Sequence, residues 1–166
     1  MLWFSRRKYP ASEVAIELAK LALQVTDAGR QQITNITQSV GVHVRAVEAE
    51  YRGLRVYLVE TAVQTISAEC DTGAAFLVAF HDAIQEQSRA GGIAEDFWAE
   101  QGLRTARYDS AWQDPRGVGT DIAVCSALAF AIGVGYDFSE VLPVWSECMW
   151  LSIELIKYLR SIRIVA

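Results

Sequence analysis

Histidine and cysteine, which hold many metals and carry much nucleophilic chemistry, are scarce in this chain. There are two histidines and three cysteines in 166 residues. A di-iron site in a helical bundle needs Glu-x-x-His pairs, but valine stands three residues before both His43 and His81. No cysteine pair has the Cys-x-x-Cys spacing of many zinc sites. The sequence therefore predicts no metal, no cofactor and no catalytic residue, and an enzyme is the less favoured class.

Proline and strand signals are also scarce, and this leaves long stretches free to be helical. The three prolines stand at positions 10, 115 and 143, so helices can run far between them. Apolar residues repeat instead at spacings of three and four, the period of one helix face. The longest series comprises Ile33, Ile36, Val40, Val44, Val47, Tyr51, Leu54 and Leu58. We predict an all-α fold, a compact bundle of five to seven helices in one domain over 1–166, with 1–9 as an N-terminal tail.

Glycines set the expected bounds of several helices. Gly29 is predicted to end the first helix, which begins near Pro10. Gly41 is predicted to kink or break the next one before a long helix over about 43–68, since glycine is unfavourable inside a helix. Gly102 is expected to divide or bend the less regular stretch that follows. The remaining predicted segments are 74–88, 93–113, 120–135 and 143–161.

Residues 120–135 are apolar nearly all round, which is typical of a helix that is central in a bundle or lies in a membrane. At 1.5 Å per residue this stretch spans about 24 Å, less than the roughly 30 Å of a bilayer's hydrocarbon core. Asp121 and Asp137 bracket it closely. We therefore predict a buried apolar helix at about 120–135, and a membrane protein is disfavoured.

Alanine recurs at every fourth position in three stretches of the chain. Residues four apart form one ridge of a helix, and a ridge of small side chains lets a neighbouring backbone come close. We interpret these ridges as packing surfaces. They comprise Ala11, Ala15 and Ala19, then Ala75, Ala79 and Ala83, then Ala123, Ala127 and Ala131.

Charge and cysteine use narrow the range of partners and compartments. The formal net charge is −5 and the isoelectric point about 5.0, without a long basic run, so a nucleic-acid partner is not expected. The odd number of widely spaced cysteines does not suit a disulfide framework. The first eight residues place charge after a short apolar run, which is not a secretory signal. We expect a cytoplasmic protein.

Two surfaces are candidates for an interface or a ligand. In the last helix, Trp150 falls on the face of Glu147 and Glu154, opposite the apolar stripe. It could anchor a protein contact, as tryptophan often does at interfaces, or it could be covered by another element. In 93–113, one helical side carries side chains that could receive an acidic or aromatic partner, or stack an anionic ligand; a solvated face with two packed aromatic residues is the alternative. Its members are Arg104, Arg107, Tyr108 and Trp112.

Three functions follow in order of preference. The first is a non-enzymatic helical protein-interaction module, self-associating or adaptor-like. The second is a bundle that binds a small molecule or lipid in an apolar cavity near His81, where an enzyme could also use His81, Arg104 or Arg107. The third is a membrane-active protein with a buried apolar hairpin over 120–160. It ranks last because Glu147 and Glu154 would have to enter the bilayer.

Overall fold

The computed structural model describes residues 7–93, 95–113, 117–133 and 139–165. Over these residues the predicted all-α fold is confirmed, with seven helices and one pair of very short strands. The helices are α1 (Ala11–Leu23), α2 (Asp27–Val40), α3 (Val44–Glu69), α4 (Gly73–Ala90), α5 (Glu95–Trp112), α6 (Thr120–Ala131) and α7 (Leu142–Ser161). The strands are β1 (Lys8–Pro10) and β2 (Arg163–Val165).

The strand pair was not predicted. Strands β1 and β2 run parallel, with Tyr9 opposite Ile164, and the Arg163 N–H donates to the Arg7 carbonyl at 2.9 Å. Three residues are too few to show the alternation of a half-buried strand, and the partner strand lies at the other end of the chain. Residues 8 and 9 of the predicted tail over 1–9 therefore lie in a strand.

The prediction that Gly29 ends the first helix is wrong. Helix α1 ends at Leu23, and Thr26 caps α2 by accepting a hydrogen bond from the Gly29 N–H at 2.8 Å. This is the ordinary role of threonine before a helix. Gly41 instead ends α2, with φ of 75° and its N–H bonded to the Thr37 carbonyl, a conformation that suits glycine. Helix α5 is continuous through Gly102.

Contacts between residues divide the chain into two compact units. Unit 1 comprises Met1–Leu23, Leu58–Ile93 and Trp150–Ala166, and unit 2 comprises Gln24–Tyr57 and Ala94–Met149. Within unit 1, α1 packs against α4 and also contacts β1 and β2. Within unit 2, α5 packs against α6.

Only one of the three alanine ridges is wholly buried. Ala15 and Ala19 in α1 are completely inaccessible, in agreement with a close packing surface. In α4, Ala75 is exposed and Ala83 is buried. The three alanines of the ridge over 123–131 are all half-buried. Small side chains therefore mark a tight helix contact in α1 but not throughout the chain.

Helix α6 is buried on one side rather than all round. Its buried residues are Val124, Cys125, Leu128 and Ala129, whereas Ile122 and Phe130 are 43% and 74% exposed. An apolar residue is buried only where a neighbour covers it, and exposed apolar side chains are ordinary in folded proteins. Part of the predicted 120–135 segment, 134–135, lies outside the described residues. Among the residues described, no helix is long and apolar enough to cross a membrane.

Candidate functional site

The side of α5 chosen from the sequence surrounds one carboxylate of α3. The Arg104 Nε donates to Glu50 Oε1 at 2.9 Å, while Arg107 Nη1 and the Tyr108 hydroxyl each donate to Glu50 Oε2 at 3.1 Å. We call these four residues the Glu50 cluster. Three donors from one helix thus hold a single buried acceptor, and charge-assisted hydrogen bonds of this kind are the stronger ones.

Arg104 donates a hydrogen bond within unit 2 from each of its three guanidinium nitrogens. Besides Glu50, it donates to the Phe97 carbonyl at 3.0 Å and to Glu100 Oε2 at 2.7 Å. Its guanidinium carbon also lies 5.1 Å from the centre of the Phe97 ring. Gly53 of α3 leaves the room for this side chain, because a Cβ at Gly53 would collide with the Arg104 side chain.

The Glu50 cluster does not present its charges to an outside partner as the sequence suggested. Arg104 and Tyr108 are buried, and only Arg107 is partly exposed. Burial, together with the negative charge of Glu50, raises the pKa of the Tyr108 hydroxyl well above its usual range, so this hydroxyl stays a neutral donor. Arg104 and Arg107 both already have an acidic partner inside the protein, which is Glu50. The cluster therefore acts as internal structure.

Trp112, the fourth candidate on α5, lies apart from these bonds in a small aromatic contact. Its ring meets that of Trp145 edge to face, with centres 6.0 Å apart. The Trp145 indole N–H donates to Asp121 Oδ1 at 3.1 Å. Trp112 is 38% exposed whereas Trp145 is buried, so a single indole of this pair is open to a partner.

Glu147 is held by a second internal network, the Glu147 cluster of Thr26, Tyr51, Arg55 and Glu147. The hydroxyls of Thr26 and Tyr51 donate to Glu147 Oε1 at 2.7 and 2.9 Å, and Arg55 Nη1 lies 3.7 Å from the same oxygen. Burial raises the pKa of Tyr51. Because Glu147 is bound on this side and its side chain is only 22% exposed, it does not belong to an exposed surface with Trp150.

Sequence reasoning missed Glu50 and Arg55 as buried charges, although the pattern contains a signal. Glu50 stands three residues after Val47 and four before Leu54, and Arg55 stands three before Leu58. Both therefore interrupt the apolar face that predicts α3. A charged residue on such a face is seldom buried unless it is paired, which could have prompted a search for partners.

His81 lies at the surface of unit 1 and not in the apolar cavity that was predicted there. Its Nε2 is 2.9 Å from Glu60 Oε1, and its side chain is 47% exposed. The structure does contain a surface cavity of about 370 Å³ in unit 1, but His81 does not line it. The lining residues are Glu69, Cys70, Asp71, Thr72, Ile162, Arg163, Ile164 and Val165.

Metal-binding and thiol chemistry have little support in the described part of the chain. No group of three or more His, Cys, Asp or Glu residues there could hold a metal ion. Burial raises the pKa of both Cys125 and Cys148 to about 12. These thiols therefore stay protonated at neutral pH, whereas the reactive form is the thiolate. Cys70 is half-buried and free.

The exposed surface predicted around Trp150 is present on the C-terminal part of α7. Trp150 is 66% exposed, Ile153 45% and Tyr158 50%. Beside them Lys157 Nζ donates to Glu154 Oε1 at 2.6 Å. We call these five residues the Trp150 face. Spacings of three and four place most of them along one side of the helix, so apolar and charged groups lie side by side within three turns.

Comparison with known proteins does not place this chain in a family. No family model matches it, and no curated protein and no solved structure is significantly similar. The fold and the candidate site define an all-α protein with buried ion networks in one unit and an exposed aromatic helix face in the other. Its function has to be inferred from its own residues.

Proposed function

We propose that this protein is a non-enzymatic helical interaction module that binds a protein partner through the Trp150 face. The observation that carries this proposal is the exposure of Trp150, a large apolar side chain that is two-thirds accessible. Tryptophan is enriched among the residues that dominate binding energy at protein interfaces. Ile153 and Tyr158 extend the apolar surface over the following turns.

The internal networks support the same proposal, because their charged groups bind one another and the Trp150 face is left for a partner. The charged groups of the Glu50 cluster are bound to one another, and the buried thiols stay protonated. A protein contact needs an anchor and a polar rim, which the Trp150 face has in Trp150 and the Glu154–Lys157 pair. The free cysteines suit a reducing compartment such as the cytoplasm.

A small-molecule site is the second proposal, and the cavity in unit 1 is the observation that favours it. Its volume of about 370 Å³ falls in the range of roughly 300–1,000 Å³ that is usual for ligand pockets. Glu69, Asp71 and Arg163 in its lining suit a polar molecule better than a lipid. Native mass spectrometry of the purified protein tests this, because a retained ligand adds a discrete mass.

Photocrosslinking from the Trp150 face tests the main proposal. Tyr158 is replaced by p-benzoylphenylalanine, and the matched control carries the same replacement at Gln85, an exposed residue of α4 in the same unit. We expect a protein adduct from position 158, weakened by Trp150→Ala, and none from position 85. If position 158 gives no more adduct than position 85, the interaction module is rejected.

A further inference from the structure

We infer that the partner at the Trp150 face is a second copy of this chain, bound with its α7 antiparallel to the first about a two-fold axis. This inference rests on the proposed function, because it names the occupant of the same surface. It is argued from the order of charges and side-chain sizes along residues 150–161, which lie within unit 1.

The order of charges selects a self-complementary antiparallel pairing. In a parallel pair of identical helices in register, Glu154 would oppose Glu154 and Lys157 would oppose Lys157. An antiparallel pair about the midpoint of residues 150–161 sets Glu154 of each copy opposite Lys157 of the other. Opposed like charges at an interface are costly, whereas complementary ones fix the register. The face carries one charge of each sign, so a second copy meets it with matching charges.

The same register also matches side chains by size. Ile153 of one copy lies level with Tyr158 of the second copy, and these two half-exposed side chains flank the contact on its two edges. Trp150 stands opposite Ser161, a small exposed residue at the end of α7, so the indole meets little obstruction. A two-fold interface repeats each of these contacts. Three turns of helix thus present two pairs of opposite charge and two pairs of Trp150 with Ser161, without opposing two like charges.

The dimer should be weak. Its charge pairs and its apolar contacts should play different roles. Lys157 already bonds Glu154 within the same helix at 2.6 Å, so the dimer exchanges internal pairs for pairs between copies and gains little electrostatic energy. The charges therefore set the orientation, and burial of Trp150 and Ile153 supplies the affinity. One helix face is small beside the roughly 800 Å² per partner of a standard interface, so we expect a dimer that dissociates on dilution.

Sedimentation equilibrium over a wide range of concentrations tests the inference with the full chain. We expect Glu154→Lys and Lys157→Glu each to raise the dimer dissociation constant at least about tenfold, because each opposes like charges twice. The double reversal should restore it to within about threefold, and Trp150→Ala should give monomer. Circular dichroism of each variant shows that the helices are kept.

The outcomes separate this inference from the proposed function. A wild-type monomer at every concentration overturns the second copy, and a dimer that both single reversals leave unchanged overturns the antiparallel register. If the wild type is monomeric but position 158 crosslinks to a different protein, the interaction module stands and the second copy is rejected. If position 158 gives no adduct and the protein is monomeric, both are rejected.

Discussion

The two units stabilise their interiors with different kinds of side chain. Among the described residues, the buried charged side chains are Glu50, Arg55 and Arg104, and all of them lie in unit 2. In the described part of unit 1, the buried polar residues are Ser88 and Ser152. Buried alanines show the reverse distribution. Unit 1 has Ala11, Ala15, Ala19, Ala22, Ala62 and Ala83, and unit 2 has Ala129.

Both units are helical, but they accommodate charged side chains differently. In unit 1 the ion pairs are at the surface, where water solvates a group that loses its partner, and such pairs add little stability. In unit 2 the carboxylate of Glu50 depends on its neighbours, because a buried charge without a partner is strongly destabilising. Among the described residues, the Lys and Arg ion pairs of unit 1 are Lys20–Glu17, Lys157–Glu154 and Arg160–Glu69.

Removal of Arg104 from the Glu50 cluster is the most direct test of whether unit 2 depends on its buried charges. We expect Arg104→Met to lower the free energy of unfolding by about 3 kcal/mol, because it leaves the buried Glu50 carboxylate with fewer partners. Urea denaturation measures this loss. Arg107→Met is the matched control, and its loss should be smaller since Arg107 is partly exposed. An unchanged urea midpoint for Arg104→Met would show that the buried Glu50 carboxylate does not need Arg104 as a partner.

Unit 1 should be most sensitive to size rather than to charge. We expect Ala19→Leu to lower the free energy of unfolding by about 1–3 kcal/mol, because α1 and α4 leave no room for a larger side chain. Ala127→Leu is the control at a half-buried alanine of α6. It should cost less in the same urea titration. Equal losses for the two variants would contradict the distinction between the wholly buried ridge of α1 and that of α6.

Helices were largely predictable from the sequence because their signal is local. The spacing of apolar residues predicted a helix over about 43–68, and α3 spans Val44–Glu69. The two glycines near the ends of α2 show the limit of this signal. Gly41 does end a helix, whereas Gly29 lies in the first turn of one and is buried where a Cβ would collide with the Tyr51 ring. That contact comes from α3 and cannot be read from the sequence around Gly29.

The residues of the candidate site on α5 were predictable from the sequence, but the direction in which they face was not. Spacing alone grouped Arg104, Arg107 and Tyr108 on one side of a helix, and the structure brings them together. What they bind is Glu50, more than fifty residues earlier in the chain, and only the packing of α3 beside α5 decides that. The sequence placed Trp150 opposite the apolar stripe of the same helix, but whether another element covers it is decided by the fold, which leaves it 66% exposed.

The smallest effect on stability is expected from the best-formed ion pair of unit 1. Arg160 Nε and Nη2 donate to the two carboxylate oxygens of Glu69 at 3.1 and 2.5 Å, and these hydrogen bonds hold the pKa of Glu69 below its usual range. We expect Arg160→Gln to raise this pKa towards the ordinary value for glutamate, as measured by an NMR titration of the Glu69 carboxyl group. Lys157→Gln should leave it unchanged.

The pH dependence gives the sharper test of the contrast between the units. A carboxyl pKa that is lower in the folded state contributes stability above the unfolded pKa, and this contribution is lost as the pH falls through the folded value. The stability that Glu69 contributes is therefore lost only in acid solution. At pH 7 this contribution is present but small, because water screens an exposed ion pair. A loss of stability at pH 7 in Arg160→Gln as large as that in Arg104→Met would mean that exposure does not distinguish the charges of unit 1 from those of unit 2.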